Sequence, residues 1–337
     1  MNRARRLGTL QLGAALAVLA VSAFPVQAQS CQMSADLDDA TRAAIRTAGQ
    51  RYFDLAAKGD AAGLQQNATA SLASDFAGLE STVKDRQHDL AGAQVTPRPF
   101  FLLEAEGPAP TPHAEFFCGV FGKNGQTSGS AAFVFDNLPA GKYAVVILDA
   151  TSPTARSSFS LILQQVGNDW KLSGLYIKPA QLAGHDSDWM VARAREYKTK
   201  GQLHNAWFSY LAARSLISPL PFMSTAASDK LYDESQALQP ADLPSEGKTA
   251  DLVAGNTTYK LTAVFPQAVG NDLDLIVRYQ AADVSNTHAA YDSNVAVIKA
   301  VVAKYPEVRE AFAGVVARAV DPSGRDYGTL MAMKDVR

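Results

Sequence analysis

The chain has 337 residues, 47% of them hydrophobic and 19% charged, with a formal net charge of −2. That balance is ordinary for a folded globular protein and excludes extended disorder outside linkers. It also argues against nucleic-acid binding, because phosphate contacts need clustered Lys and Arg, which no stretch beyond residue 28 supplies.

Residues 1–28 read as a secretory signal. Arg3, Arg5 and Arg6 make a basic start, Leu12 to Phe24 is apolar, and Pro25-Val26-Gln27-Ala28 offers small residues for cleavage after Ala28. The apolar run is about thirteen residues, short of the roughly twenty that span a bilayer. Arg5-Arg6 also opens the twin-arginine route, although the residues after the pair suit it poorly. Cleavage removes three positive charges and no acid, so the formal charge falls from −2 to about −5. No later segment is apolar for long enough to cross a membrane. The expected product is soluble, in the periplasm or secreted.

Cys31 and Cys118 are the two cysteines. In an exported chain two thiols most often form one disulfide. The alternative is a lipoprotein acylated at Cys31, although Ala28-Gln29-Ser30 lacks the usual preceding leucine.

About 309 mature residues suggest more than one domain. Asp38 is a helix N-cap, and Ile45, Ala48, Tyr52 and Leu55 recur at helical spacing until Gly59. Further helices are expected over 60–67 and 72–91. From Pro99 the period changes to strands, at 100–106, 115–121, 131–136, 143–150, 158–165 and 171–177. Helices followed by an antiparallel meander make an α+β layout with helices on one face of a curved sheet. Tyr52-Phe53-Asp54-Leu55-Ala56-Ala57-Lys58-Gly59-Asp60 with Leu64, and the closing Gly167-Asn168-Asp169-Trp170-Lys171-Leu172-Ser173-Gly174-Leu175-Tyr176, carry a resemblance. In those stretches residues 29–179 resemble the cone-shaped superfamily of ketosteroid isomerase and nuclear transport factor two. The resemblance implies a cone open to an apolar ligand. Its isomerases use a tyrosine and an acid inside the cone, but no motif places such a pair here. A plain β-sandwich is the alternative fold.

Residues 180–239 read as helical. Ala194, Tyr197, Gly201, Ala206, Tyr210 and Ala213 are similar in spacing to one tetratricopeptide repeat, with Pro219 past the second helix. A single repeat is fewer than a stable array needs, so a helical hairpin packed on its neighbours is the simpler expectation. Residues 240–248 form a Pro- and Gly-bearing linker. Residues 249–337 make a second α+β domain of order β-β-β-α-β-β, an antiparallel sheet with one helix across it. Its first two clear strands alternate through Tyr259, Leu261, Ala263 and Phe265, and through Leu273, Leu275, Val277 and Tyr279. Its helix carries Tyr291, Val295, Ile298, Val302 and Tyr305 on one face, Pro306 starts a short extra helix, and strands at 315–321 and 327–334 close the chain.

The search for chemistry yields little. His113 and Glu115 share a face of an extended stretch, which suits half a metal site or an acid/base pair, or a solvated strand edge. His185-Asp186-Ser187-Asp188 reads as an N-cap with acids in the first helical turn, with a metal site as the alternative. His88, His204 and His288 read as structural or solvated, and Asp321-Pro322-Ser323-Gly324 as a turn. Phe100, Phe101, Phe116, Phe117, Phe133 and Phe135 either line a cone mouth or fill a core. No catalytic, cofactor or metal residue is nominated. The expected function is binding, either of an apolar small molecule in the cone or of an envelope protein at Trp189, Tyr197, Trp207, Phe208 and Tyr210. The alternatives are an isomerase, dehydratase or hydrolase acting inside the cone, and a structural envelope component.

Overall fold

The computed structural model describes residues 29–123 and 125–337, so the expected signal at 1–28 lies outside the described residues. The first domain opens with β1 (Gln29–Met33) and four helices: α1 (Asp39–Ala57), α2 (Ala61–Gln66), α3 (Ala70–Ser74) and α4 (Ala77–Leu90). Asp38, Asp60 and Thr69 cap the first three, each accepting from the backbone N–H three residues on. One helix was expected over 72–91, but two form. Asp75 leaves the helical region and turns Phe76 into the core, where it is buried.

The strands follow as β2 (Gln94–Pro97), β3 (Phe101–Ala105), β4 (Thr111–Cys118), β5 (Phe121–Gly122), β6 (Gly125–Gln126), β7 (Ala131–Leu138), β8 (Gly141–Thr151), β9 (Arg156–Val166) and β10 (Asp169–Pro179). The main sheet has the order β1-β3-β8-β9-β10, with β2 continuing the line of β3 along β8. β4 and β7 belong to a second, smaller sheet. Pro112 is tolerated inside β4 because β4 is that sheet's edge, where a missing N–H breaks no ladder.

Both faces of the main sheet are covered. Ala144, Val146 and Leu148 of β8 meet Tyr52, Phe53 and Leu64 from the helices. Tyr143, Val145 and Ile147 alternate with them and meet Phe116 and Phe133 from the second sheet. This double cover explains the continuous apolar run of β8 and the unbroken burial along the centres of β8 and β9, where a half-buried strand would alternate. Each fully buried Leu or Phe here contributes about 1.5–3 kcal/mol. Gly49 lets α1 close on β8, since a Cβ there would sit 3.0 Å from Val146 Cγ1.

The disulfide closes one corner of this sandwich. β1 is an edge of the main sheet and β4 an edge of the second, and Cys31 and Cys118 join them at a Cα separation of 5.2 Å. Beside the bridge, the Glu115 N–H donates to Gln29 Oε1 at 2.7 Å. With a sequence separation of 87 between the two half-cystines, the chain-entropy argument gives at most about 4–5 kcal/mol. The bridge consumes the Cys31 thiol, so acylation at Cys31, the lipoprotein alternative, has no sulfur to use.

The middle segment contains α5 (Ser187–Thr199), α6 (Leu203–Ile217), β11 (Met223–Thr225) and α7 (Ala226–Gln236). α5 and α6 form a hairpin around Gly201, whose φ of 76° suits glycine. The segment also contains a strand, where helix alone was expected: β11 joins the second sheet beside β7 and ties the hairpin to the first domain.

The C-terminal domain runs β12 (Ala250–Ala254), β13 (Thr257–Val269), β14 (Asp272–Gln280), α8 (Thr287–Lys304), α9 (Val308–Ala311), β15 (Gly314–Val320) and β16 (Asp326–Ala332). Its strands pair in sequence order. Neighbours are antiparallel except β14 and β15, which run parallel because α8 carries the chain back between them. The buried face of α8 is Ala290, Asn294, Val297, Ile298, Val301 and Val302, and Tyr291 is 47% exposed. The face is rotated from the one the apolar spacing suggests. Asn294 causes this: it accepts from the Tyr279 hydroxyl at 2.7 Å and donates to Tyr327 O and Thr329 Oγ1 at 3.0 Å each.

Candidate functional site

The second sheet does not cover the whole face of the main sheet. Where its cover stops, a cleft of ≈ 450 Å³ opens at a seam between three parts of the chain. One wall is the bend between β2 and β3, with Arg98, Pro99 and Phe101; Ile147 of β8 forms the floor. A second wall is the 127–130 turn, and the third is Met223 with the first turn of α7.

Each wall has a local cause. Pro97 and Pro99 lack an N–H, so the ladder breaks between β2 and β3 and only the Arg98 N–H reaches Ile147 O, at 2.9 Å. In the 127–130 turn, Ser130 Oγ accepts from the Thr127 N–H at 2.9 Å and donates to Thr127 O at 2.8 Å, while Gly129 takes a φ of 88°. Thr225 and Ser228 form a reciprocal capping box at the start of α7. Ala226 and Ala227 then present only methyl groups to the cleft. Gln126 ties turn to helix, donating to Ser224 Oγ at 2.7 Å and Asp229 Oδ2 at 2.8 Å. At the rim Arg98 grips Asp149 with Nε and Nη2 at 2.7–3.1 Å. That pair is about 40% exposed, so it is worth no more than about 1 kcal/mol.

The candidate residues from the sequence fall elsewhere, with one exception. Of the six phenylalanines, Phe101 lines the cleft. Phe100 faces the helices, Phe116 and Phe133 fill the core between the sheets with Phe135 against them, and Phe117 is exposed beside Phe121. His113 stands on the outer face of the second sheet, its ring nitrogens 3.4 Å from Asp136 and 3.1 Å from Glu115. Hydrogen bonds to Asp136 and then Glu115 hold its pKa above the usual range. Asp186 N-caps α5, and His185 stacks on Trp189 at 3.6 Å between ring centroids. His88 pairs with Asp89 and His288 with Asp292. His204 sits between Glu307 at 2.8 Å and Asp242 at 3.0 Å, joining α6 to the linker and to the start of α9. Asp321 holds its turn by accepting from the Ser323 and Arg325 N–H groups. Among the described residues no group of three or more His, Cys, Asp or Glu could hold a metal ion.

The proposed interaction surface on the hairpin needs correction. Tyr197, Trp207, Phe208 and Tyr210 are buried, and Trp189 alone of the five is exposed. Trp207 and Phe208 belong to the C-terminal core, where Phe208 meets Phe312 edge-on at 5.8 Å. Trp207 and Phe208 are therefore covered by the chain's own C-terminal segment, and Tyr210 packs within the middle segment against Met190, Ala194 and Leu231. Tyr210 donates to Glu234 at 2.6 Å, and Arg195 grips the same carboxylate at 2.7 and 2.8 Å. The Arg195 guanidinium pulls the Glu234 pKa down to about 2, and burial first, then Glu234, pushes Tyr210 up to about 12. On the helix side of the main sheet, the buried Tyr52 hydroxyl shares its one proton between two carbonyls, Trp170 O at 2.8 Å and Asn67 O at 2.9 Å.

Set against family models, curated proteins and solved structures, the chain matches none of them.

Proposed function

We propose that this chain is an exported, non-catalytic binding protein of the bacterial-type envelope that holds an apolar small molecule in the seam cleft. The cleft itself carries the reading. Its ≈ 450 Å³ lies within the roughly 300–1,000 Å³ usual for small-molecule sites. Phe101, Ile147, Met223 and Pro99 give it an apolar lining. Of its polar members, Arg98, Thr127, Ser130 and Thr225 are engaged with protein partners of their own, and Ser128 adds one hydroxyl, a set that suits holding a ligand more than transforming one. The disulfide fits an oxidising compartment. In the same proposal, residues 29–179 are a cone-like domain with a second sheet added to its outer face, and α5–α6 is a single tetratricopeptide-like unit used as a brace.

The test is a titration with N-phenyl-1-naphthylamine, whose fluorescence rises in apolar surroundings. Saturable binding is expected, weakened at least about tenfold by Ala226→Trp, which fills the cleft, and unchanged by Leu330→Trp on the opposite end of the molecule's sequence. Binding that ignores Ala226→Trp would remove the cleft from the account.

A further inference from the structure

The face of the main sheet that floors the cleft continues past Ile147 into a polar patch. Ser160 of β9 stands opposite Ile147 on one side and Tyr176 of β10 on the other. Ser158, two residues back on the same face, stands between Asp149 and Lys178. Ser160 is fully buried and Ser158 is 4% exposed, yet neither hydroxyl has a hydrogen-bond partner. A buried hydroxyl left unpaired forfeits its hydration without compensation, so two side by side need a reason.

Lys178 adds a second anomaly. Its ammonium donates to Ser218 O at 2.6 Å, and among the described residues it forms no ion pair. Burial pushes its pKa below the usual lysine range. The nearby carboxylate, Asp149, is already gripped by Arg98. A partly buried cation without a counter-ion therefore lies across the strand from an orphaned hydroxyl, two strand spacings across and two residues along from Ile147 of the cleft floor, about 12 Å in all.

Residues 218–222 strap this patch down. Pro219 and Pro221 cannot donate, and Phe222 O accepts from the Val134 N–H. The strap holds mainly by side chains. Leu220 is buried between the sheets, and the Phe222 ring lies 4.7 Å from Phe135 and 5.5 Å from Tyr176. It leads directly into Met223 of the cleft wall, and Ile147 of the cleft floor pairs with Ser160, so patch and cleft adjoin along one face of the main sheet.

Resting on the cleft reading, we infer that the occupant is a medium- or long-chain carboxylate, its tail in the seam cleft and its head on Lys178, Ser158 and Ser160 beneath the 218–222 strap. The carboxylate supplies the missing counter-ion, accepts from both serine hydroxyls and replaces Ser218 O as the acceptor for Lys178. A neutral chain of equal length fills the cleft but leaves all three donors as they are.

Isothermal titration of the disulfide-intact protein with decanoate and decan-1-ol tests this. Decanoate should bind about tenfold or more tighter than decanol, as a charge-assisted contact in a dry site implies. Lys178→Met should erase the preference while decanol affinity, which also reports correct folding, stays unchanged. Lys178→Arg should keep the preference, and the Ser158→Ala/Ser160→Ala double variant should reduce it several-fold. Equal binding of the two chains by the unmodified protein, or a preference that survives Lys178→Met, overturns the head-group assignment. In either case displacement by Ala226→Trp still supports the cleft. If neither chain binds, or both bind equally well to Ala226→Trp, the cleft reading itself falls.

Discussion

The main sheet of the first domain and the sheet of the C-terminal domain solve the same burial problem in different ways. The first is covered twice, by four helices on one face and a second sheet on the other. The second has α8 and the α5–α6 hairpin on one face and leaves the other open, so Leu330 is 53% exposed and Val253 66%. The burial pattern follows the cover. β8 and β9 are buried on both faces along their centres, whereas burial alternates along β16. The difference also explains where a site can form. An open face is too flat to enclose a ligand. A second layer that stops short, as the small sheet does beyond Phe101 and Ile147, leaves a walled cleft.

Substitutions that read each kind of cover should break the comparison first. Leu161 lies fully buried in β9, in the core on the helix side, and Leu161→Ala should cost about 2–5 kcal/mol in urea unfolding. Leu330→Ala on the open face should stay within about 0.5 kcal/mol. Similar costs at the two positions would mean that the open face is covered in solution. The next largest effect belongs to the bridge that holds the second layer on. Cys118→Ser should cost about 2–5 kcal/mol by calorimetry, and reductant should add nothing further to that variant. Smaller still is the brace between the two regions. Because Glu234 is held near 2 by Arg195, its stabilisation is full above the ordinary glutamate value of 4.5. It is lost as pH falls from there toward 2. Glu234→Gln should flatten that part of the stability profile, and an unchanged acid limb would show that the brace carries no load.

Much of the fold was readable in the sequence because the signals were local. Asp38 and Asp186 cap helices where the sequence placed them, and the alternation through Leu273, Leu275, Val277 and Tyr279 marks β14. Two cysteines in an exported-looking chain were enough to expect the bridge. What escaped was non-local or bought by a single polar residue. β1 and β11 are short, and β11 is defined by its partner β7, some ninety positions earlier in the chain. Asn294 rotates α8 by trading an apolar position for three hydrogen bonds. The burial of Trp207 and Phe208 depends on a domain that follows them. The cleft was hidden most completely. It is assembled from a proline-broken strand, a serine turn, one isoleucine and two alanines at a helix start, none of which carries a motif.

The most direct test of the central claim is hydrogen exchange, read by mass spectrometry, on the unreduced protein with and without saturating decanoate. Slowed exchange at the 127–130 turn and at 218–227, with the C-terminal sheet unchanged, is the result this account requires. Protection confined to β13–β16, or none at the seam, would contradict it.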